Sequence, residues 1–124
     1  MEEKIIKKFN GPIIIDEAYG EFSDYSTVNL AKNNDNLIVI RTFSKAFGLA
    51  GLRLGYFVAN KKFTDIFSRV IQYPYPLNSF AIEAGILALQ KSKQISSIFS
   101  LIKKERERII KNLRSYDIFN VFDS

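Results

Sequence analysis

Apolar positions along the chain fall into three short continuous runs followed by longer periodic ones. Ile13-Ile14-Ile15, after the break at Gly11-Pro12, and Leu37-Ile38-Val39-Ile40, after the polar stretch Lys32–Asn36, read as strands buried on both faces. A third run, Leu54–Ala59, reads as another strand. Only Ser44–Leu52 separates it from the second, less than the dozen or so residues that a parallel crossover needs, so these two are expected to pair antiparallel. Glu17–Asn36 is long enough for a crossover, with Val28-Asn29-Leu30-Ala31 as a helical turn, so the first two strands are expected to run parallel. Residues 1–10 are charged and weakly patterned. Beyond the third strand, Asn60 is placed as an N-cap for a helix whose stripe is Phe63, Ile66, Phe67, Val70 and Ile71, packed on the sheet. Tyr73-Pro74-Tyr75-Pro76 ends that helix as a rigid linker. Asn78 can cap a helix over Ser79–Gln90, apolar nearly all round and so expected to be buried on more than one side. Ser92–Leu113 carries a stripe of Ile95, Ile98, Phe99, Ile102, Ile109, Ile110 and Leu113, and Tyr116–Ser124 reads as a strand beginning.

Chemistry concentrates at the carboxyl ends of the first two strands, where open α/β sheets bind ligands. Arg41-Thr42-Phe43-Ser44-Lys45 leads into Gly48, Gly51, Arg53 and Gly55. A lysine in such a crevice is partly desolvated and can present a free amine to a carbonyl carbon. Thr42 and Ser44 supply hydroxyls, and Arg53 supplies the planar donor fork best matched to a phosphate. The antiparallel return brings Arg53 back to the end of the sheet that holds Lys45. Asp16-Glu17-Ala18-Tyr19 stands on the same rim, where a carboxylate calls for a cationic partner. Each group also has a plain structural reading: Lys45 as a solvated loop lysine, Asp16 as a cap or turn aspartate.

Composition narrows the chemistry. The chain has 124 residues, 47% of them apolar and 25% charged, with no cysteine and no histidine. Disulfides and thiolate ligands within the chain are excluded, and so is the commonest general base. The remaining acid–base groups are lysine, carboxylates and tyrosine, with or without a cofactor. The net charge of +5 raises nucleic-acid binding, but the bases are mixed with acids, as in Lys103-Lys104-Glu105-Arg106-Glu107-Arg108, and read as solvated helix faces. No run approaches membrane-spanning length and Met1-Glu2-Glu3-Lys4 is mixed in charge, so a cytoplasmic chain is expected, with neither membrane nor nucleic acid as partner.

Taken together, Asp16-Glu17-Ala18-Tyr19 and Thr42-Phe43-Ser44-Lys45-Ala46-Phe47-Gly48-Leu49-Ala50-Gly51-Leu52-Arg53-Leu54-Gly55-Tyr56 resemble the class I/II aminotransferases of pyridoxal-phosphate fold type I. The closer likeness is to the histidinol-phosphate aminotransferases, and it continues through Tyr75-Pro76-Leu77-Asn78 into the last helix. The resemblance implies an α/β fold, part of a three-layer αβα large domain with a mostly parallel mixed sheet. Residues 1–113 would belong to that domain and 114–124 to the beginning of the small domain. It implies pyridoxal 5′-phosphate as cofactor. Lys45 would be the lysine that carries the cofactor and then moves the substrate proton. Asp16 would pair with the ring nitrogen and Tyr19 with the ring oxygen, while Thr42, Ser44 and Arg53 would hold the phosphate. Glu17 receives no catalytic role.

The implied reaction moves an amino group from histidinol phosphate to 2-oxoglutarate, giving imidazole acetol phosphate and glutamate in histidine biosynthesis. Related aromatic aminotransferases and threonine-phosphate decarboxylases share the motifs, and a non-catalytic remnant or subunit is the reading from another class. Family members are well over twice this length and commonly homodimeric. The chain is therefore expected to be an internal fragment that needs a complementing chain to supply the missing segments.

Overall fold

The computed structural model describes residues 2–71 and 77–122, so the expected Tyr73–Pro76 linker lies outside the described residues. The chain divides into two compact units, Met1–Ala88 and Leu89–Ser124. The first begins with a helix, α1 (Glu2–Lys8), that the weak pattern of the first ten residues does not announce. Two things from outside the segment support it: Ile6 is buried at 4% exposure, and the Asn36 amide donates to the carbonyls of Ile6, Phe9 and Gly11 at 3.2, 2.7 and 3.3 Å. Lys7 and Lys8 in the last turn complement its dipole.

Strands β1 (Ile13–Asp16), β2 (Leu37–Thr42) and β3 (Gly55–Val58) form one sheet in that order. β1 and β2 run parallel, with Ile13 opposite Leu37 and Asp16 opposite Ile40. β2 and β3 run antiparallel, with Val39 opposite Val58 and Thr42 opposite Gly55. Both directions agree with the loop lengths. The crossover carries a short helix, α2 (Val28–Ala31).

Burial differs from expectation. Leu37 and Val39 are fully buried, packed with Ile6 and Ala31 and flanked by Ile13, Ile15, Val28, Leu30 and Val58. Strand side chains alternate between faces, so Ile14, Ile38 and Ile40 belong to the opposite face. There Ile14 is 61% and Ile40 41% exposed, so these runs are buried on one face only. On that second face Phe57, beside Ile40, meets Phe63 and Phe67 edge-on at 5.7 and 4.7 Å. Those two rings belong to α3 (Lys61–Ile66) and its continuation Phe67–Ile71, a wider π turn. The Asn60 side chain caps α3 by accepting from the Phe63 N–H at 2.8 Å, as its position predicts. Ile66, Val70 and Ile71 of the expected stripe stay exposed.

Helix α4 (Ser79–Gln90) begins where Asn78 accepts from the Ala81 N–H at 2.8 Å. It is buried through small residues on one side only, Ala81, Gly85 and Ala88, with Phe80, Ile82, Ile86 and Leu87 exposed. Gly85 lets α4 close on the sheet's rim, since a Cβ there would come within 2.6 Å of Leu54 Cδ2. Leu54, Phe43 and Ala88 form a second small core with Phe47, Leu49 and Leu52 packed around it.

In the second unit, α5 (Ser92–Arg114) is amphipathic as expected, yet none of its residues is buried. The expected strand from Tyr116 does not form over the described residues to Phe122, which lie in turns and irregular backbone. A strand is one side of a ladder, and the sheet among the described residues is made of β1, β2 and β3 alone. No helix among the described residues is long and apolar enough to cross a membrane.

Large apolar surfaces on β1, β2, α4 and α5 predict that the isolated chain self-associates. Size exclusion with light scattering should read a mass that rises with concentration. A constant single-chain mass with cooperative unfolding would contradict the prediction.

Candidate active site

The parallel register sets the rim. β1 ends at Asp16 level with Ile40, and the Glu17 N–H donates to Ile40 O at 2.9 Å, extending the ladder by one bond. Asp16 is exposed and its Oδ1 accepts from the Ala18 N–H at 2.9 Å, a turn-aspartate contact. A single 3₁₀ turn, Gly20–Phe22, follows Tyr19. Asp16 and Tyr19 line an open cleft of about 470 Å³ together with Ile15, Ser23, Tyr25 and Thr27.

Lys45 lies three residues beyond the end of β2. Its ammonium rests over the Tyr19 ring, 5.2 Å from the centroid, a cation–π arrangement. The side chain is exposed, so the desolvated lysine expected from a closed crevice is not what these residues form. Its loop is closed by hydrogen bonds from Gly48 N to Lys45 O (3.0 Å) and from Leu49 N to Phe43 O (2.9 Å), with buried Phe43 as anchor. Gly48 sits at φ 67°, where a side chain would be strained.

The expected phosphate donors are less gathered. Thr42 Oγ1 accepts from the Ser44 N–H at 3.1 Å and donates to Leu54 O at 3.4 Å, tying both sides of the loop together. Arg53 has left-handed backbone at φ 54°, which costs an arginine about 1 kcal/mol. It is exposed, and its Nη1 donates to Ala50 O at 3.1 Å rather than to Thr42 or Ser44.

A polar network unassigned from sequence lies beneath the turn. Arg41 Nε and Nη2 donate to Glu17 Oε2 at 3.1 and 2.6 Å, Nη2 also donates to Ser26 Oγ at 2.9 Å, and Nη1 donates to Glu21 Oε1 at 2.8 Å. Glu17 is completed by the Ser26 hydroxyl (2.9 Å) and by the Thr27 N–H and O–H (2.6 and 2.7 Å). All three charged side chains are about nine-tenths buried. Burial pushes the Glu17 carboxyl up, but bonds from Thr27, Ser26 and Arg41 outweigh it and hold the group below its ordinary value. Burial likewise opposes the charge on Arg41, and its bonds to Glu21 and Glu17 raise it above the ordinary value. Tyr56, paired with Arg41 across the ladder, has its phenol pushed up by burial, with Arg41 acting the other way. The pairing becomes legible only with the register in hand: continued two places past Ile15 and Val39, it sets Glu17 opposite Arg41, opposite charges on one face.

Helices on both faces of a small mixed sheet, with an amine and a carboxylate on its rim, are the architecture of part of the large domain of the fold type I pyridoxal-phosphate enzymes. The chain belongs to the family of class I and II aminotransferases, whose family model matches residues 3–121. It is 44% identical over 104 residues to a histidinol-phosphate aminotransferase of Pyrococcus furiosus, covering 84% of this chain and 30% of that protein. The crystal structure of the histidinol-phosphate aminotransferase from Clostridium acetobutylicum superposes with a TM-score of 0.84 at 35% identity, over 99% of this chain and 40% of that one. The Sinorhizobium meliloti histidinol-phosphate aminotransferase, solved in complex with pyridoxal 5′-phosphate, gives 0.72 at 28% identity over 84% and 29%. The chain thus spans about a third of the length of the curated relatives it matches.

Because every oxygen of Glu17 already accepts a donor, Glu17→Gln must turn an amide against one of them. The expected loss is about 3 kcal/mol, read by urea unfolding. Glu21→Gln should cost under about 1 kcal/mol, since Glu21 Oε2 has no hydrogen-bond partner among the described residues. With its folded value depressed, the Glu17 contribution is present above the ordinary 4.5 and lost as pH falls through the lowered value. That acid loss should vanish in Glu17→Gln.

Proposed function

We propose that this chain is the cofactor-binding part of a pyridoxal-phosphate-dependent aminotransferase that moves the amino group of histidinol phosphate to 2-oxoglutarate. The observation that carries the reading is the Lys45 ammonium lying on the Tyr19 ring beside the Asp16 rim, in a chain of the aminotransferase family. The donor set fits the cofactor: a primary amine for its aldehyde, a carboxylate for its ring nitrogen, a phenol for its ring oxygen, and hydroxyls with a guanidinium for its phosphate. Bound there, the cofactor supplies an electron sink for the substrate's Cα–H electrons.

The chain's own residues do the remaining work. Lys45 would hold the cofactor by its aldehyde and would carry the proton to and from the substrate Cα, the role histidine would otherwise fill. Asp16 keeps the ring nitrogen protonated by a charge-assisted hydrogen bond. Tyr19 donates to the ring oxygen. Thr42, Ser44 and Arg53 hold the phosphate, which requires the exposed Arg53 guanidinium to leave Ala50 O.

In the same reading, residues 1–113 are part of the large domain and 114–124 lead into the small one. An amino donor and a 2-oxo acid are the substrates, in a cytoplasmic biosynthetic setting. The active assembly is a homodimer, as in the full-length family, and the remaining two-thirds of the relatives' length supplies the rest of the site. A non-catalytic remnant is the competing reading.

Titrating the purified chain with pyridoxal 5′-phosphate, reducing with borohydride and mapping peptides separates the two. The expected result is cofactor mass on Lys45 above every other lysine, lost in Lys45→Ala and weakened in Asp16→Asn. Label scattered over the lysines would overturn the reading.

A further inference from the structure

We propose that Arg41 is the positioning residue for Tyr19, a role that rests on the cofactor reading above. The Arg41 guanidinium bonds to Glu17 and Glu21, two residues before and two residues after Tyr19, so one planar group brackets the turn that carries the ring. Among the described residues the Tyr19 phenol makes no hydrogen bond. Tyr19 is 61% exposed, and its ring centroid lies 6.4 Å from that of Phe22, with the Lys45 ammonium over its face. The ring's place is therefore set by its backbone, and the backbone by what holds the turn.

Within the turn, Gly20 N donates to Glu17 O and Phe22 N to Tyr19 O, at 2.9 and 3.0 Å, which closes it locally but does not fix it on the sheet. Arg41 does that. It stems from β2, four residues before Lys45, so the strand that delivers the amine also delivers the group that holds the Tyr19 turn against it. Thr27 and Ser26 lock the Glu17 side of the bracket, and Gly20 is pressed against it, since a Cβ there would lie 2.8 Å from Arg41 Cζ. The guanidinium reaches Glu17 from its Nε–Nη2 edge and Glu21 from Nη1, so its rigid fork spans two carboxylates lying in different directions. A lysine ammonium is a point charge on a single stem.

Glu21→Ala tests the idea cleanly, because it removes one arm and leaves Arg41 neutralised by Glu17. Hydrogen exchange read by mass spectrometry should quicken about tenfold in the peptide covering residues 16–22, with the β2 peptide unchanged. The ratio of borohydride-fixed cofactor on Lys45 to that on other lysines should fall about tenfold, the lower end of the loss expected for one charge-assisted hydrogen bond. Arg41→Lys should behave like Glu21→Ala, and Glu21→Gln, which keeps an oxygen for Nη1, should restore both readouts. Unchanged exchange in Glu21→Ala, or loss of both readouts in Glu21→Gln, would overturn the bracket. Faster exchange with an unchanged labelling ratio would leave a structural tie and overturn the positioning role. If the unmodified chain labels its lysines indiscriminately, the cofactor reading fails on its own, and exchange alone decides for or against the bracket.

Discussion

The parallel pairing of β1 with β2 is the constraint on which the rest depends. Asp16 opposite Ile40 brings two distant motifs to one rim, and one residue further Glu17 falls level with Arg41. A shift by one residue would send Glu17 to the exposed face and break its buried pair with Arg41, at a cost of several kcal/mol. The register is thus held twice, by the Leu37 and Val39 core below and by the buried ion pair at its end.

That ion pair shows how polar groups are tolerated inside a small sheet. The cluster has one guanidinium for two carboxylates. Glu17 is fully satisfied by five donors, while one Glu21 oxygen is buried without a partner among the described residues. Such asymmetry stiffens one side of the turn more than the other. Above it Lys45, Tyr19 and Asp16 remain open to solvent, which suits groups that must exchange covalent partners.

A one-sided core accompanies the partial length. Ile14 and Ile40 on the sheet, Phe80 and Ile86 on α4, and the apolar stripe of α5 are surfaces that ordinary domains cover. Relatives three times as long have the chain to do so, and the exposed aliphatic positions are those that a local pattern marks as interior.

What the sequence by itself determined was local or set by chain length. The three strands, their antiparallel and parallel directions, the caps at Asn60 and Asn78, and the extent of α5 follow from run length, loop length and side-chain type at a few positions. The motifs around Asp16 and Lys45 could be recognised for the same reason, because their chemistry is carried by neighbouring residues. Only the tertiary structure decided that α1 forms, through Ile6 in the core and an amide from Asn36, and that Ile14 faces outward although its neighbours do not. It also decided that Arg53 turns left-handed toward Ala50 and that Glu17 and Arg41 pair. The reason is common to these cases: periodicity reports which side chains are apolar, whereas burial and pairing depend on what the chain brings opposite them from far along its length.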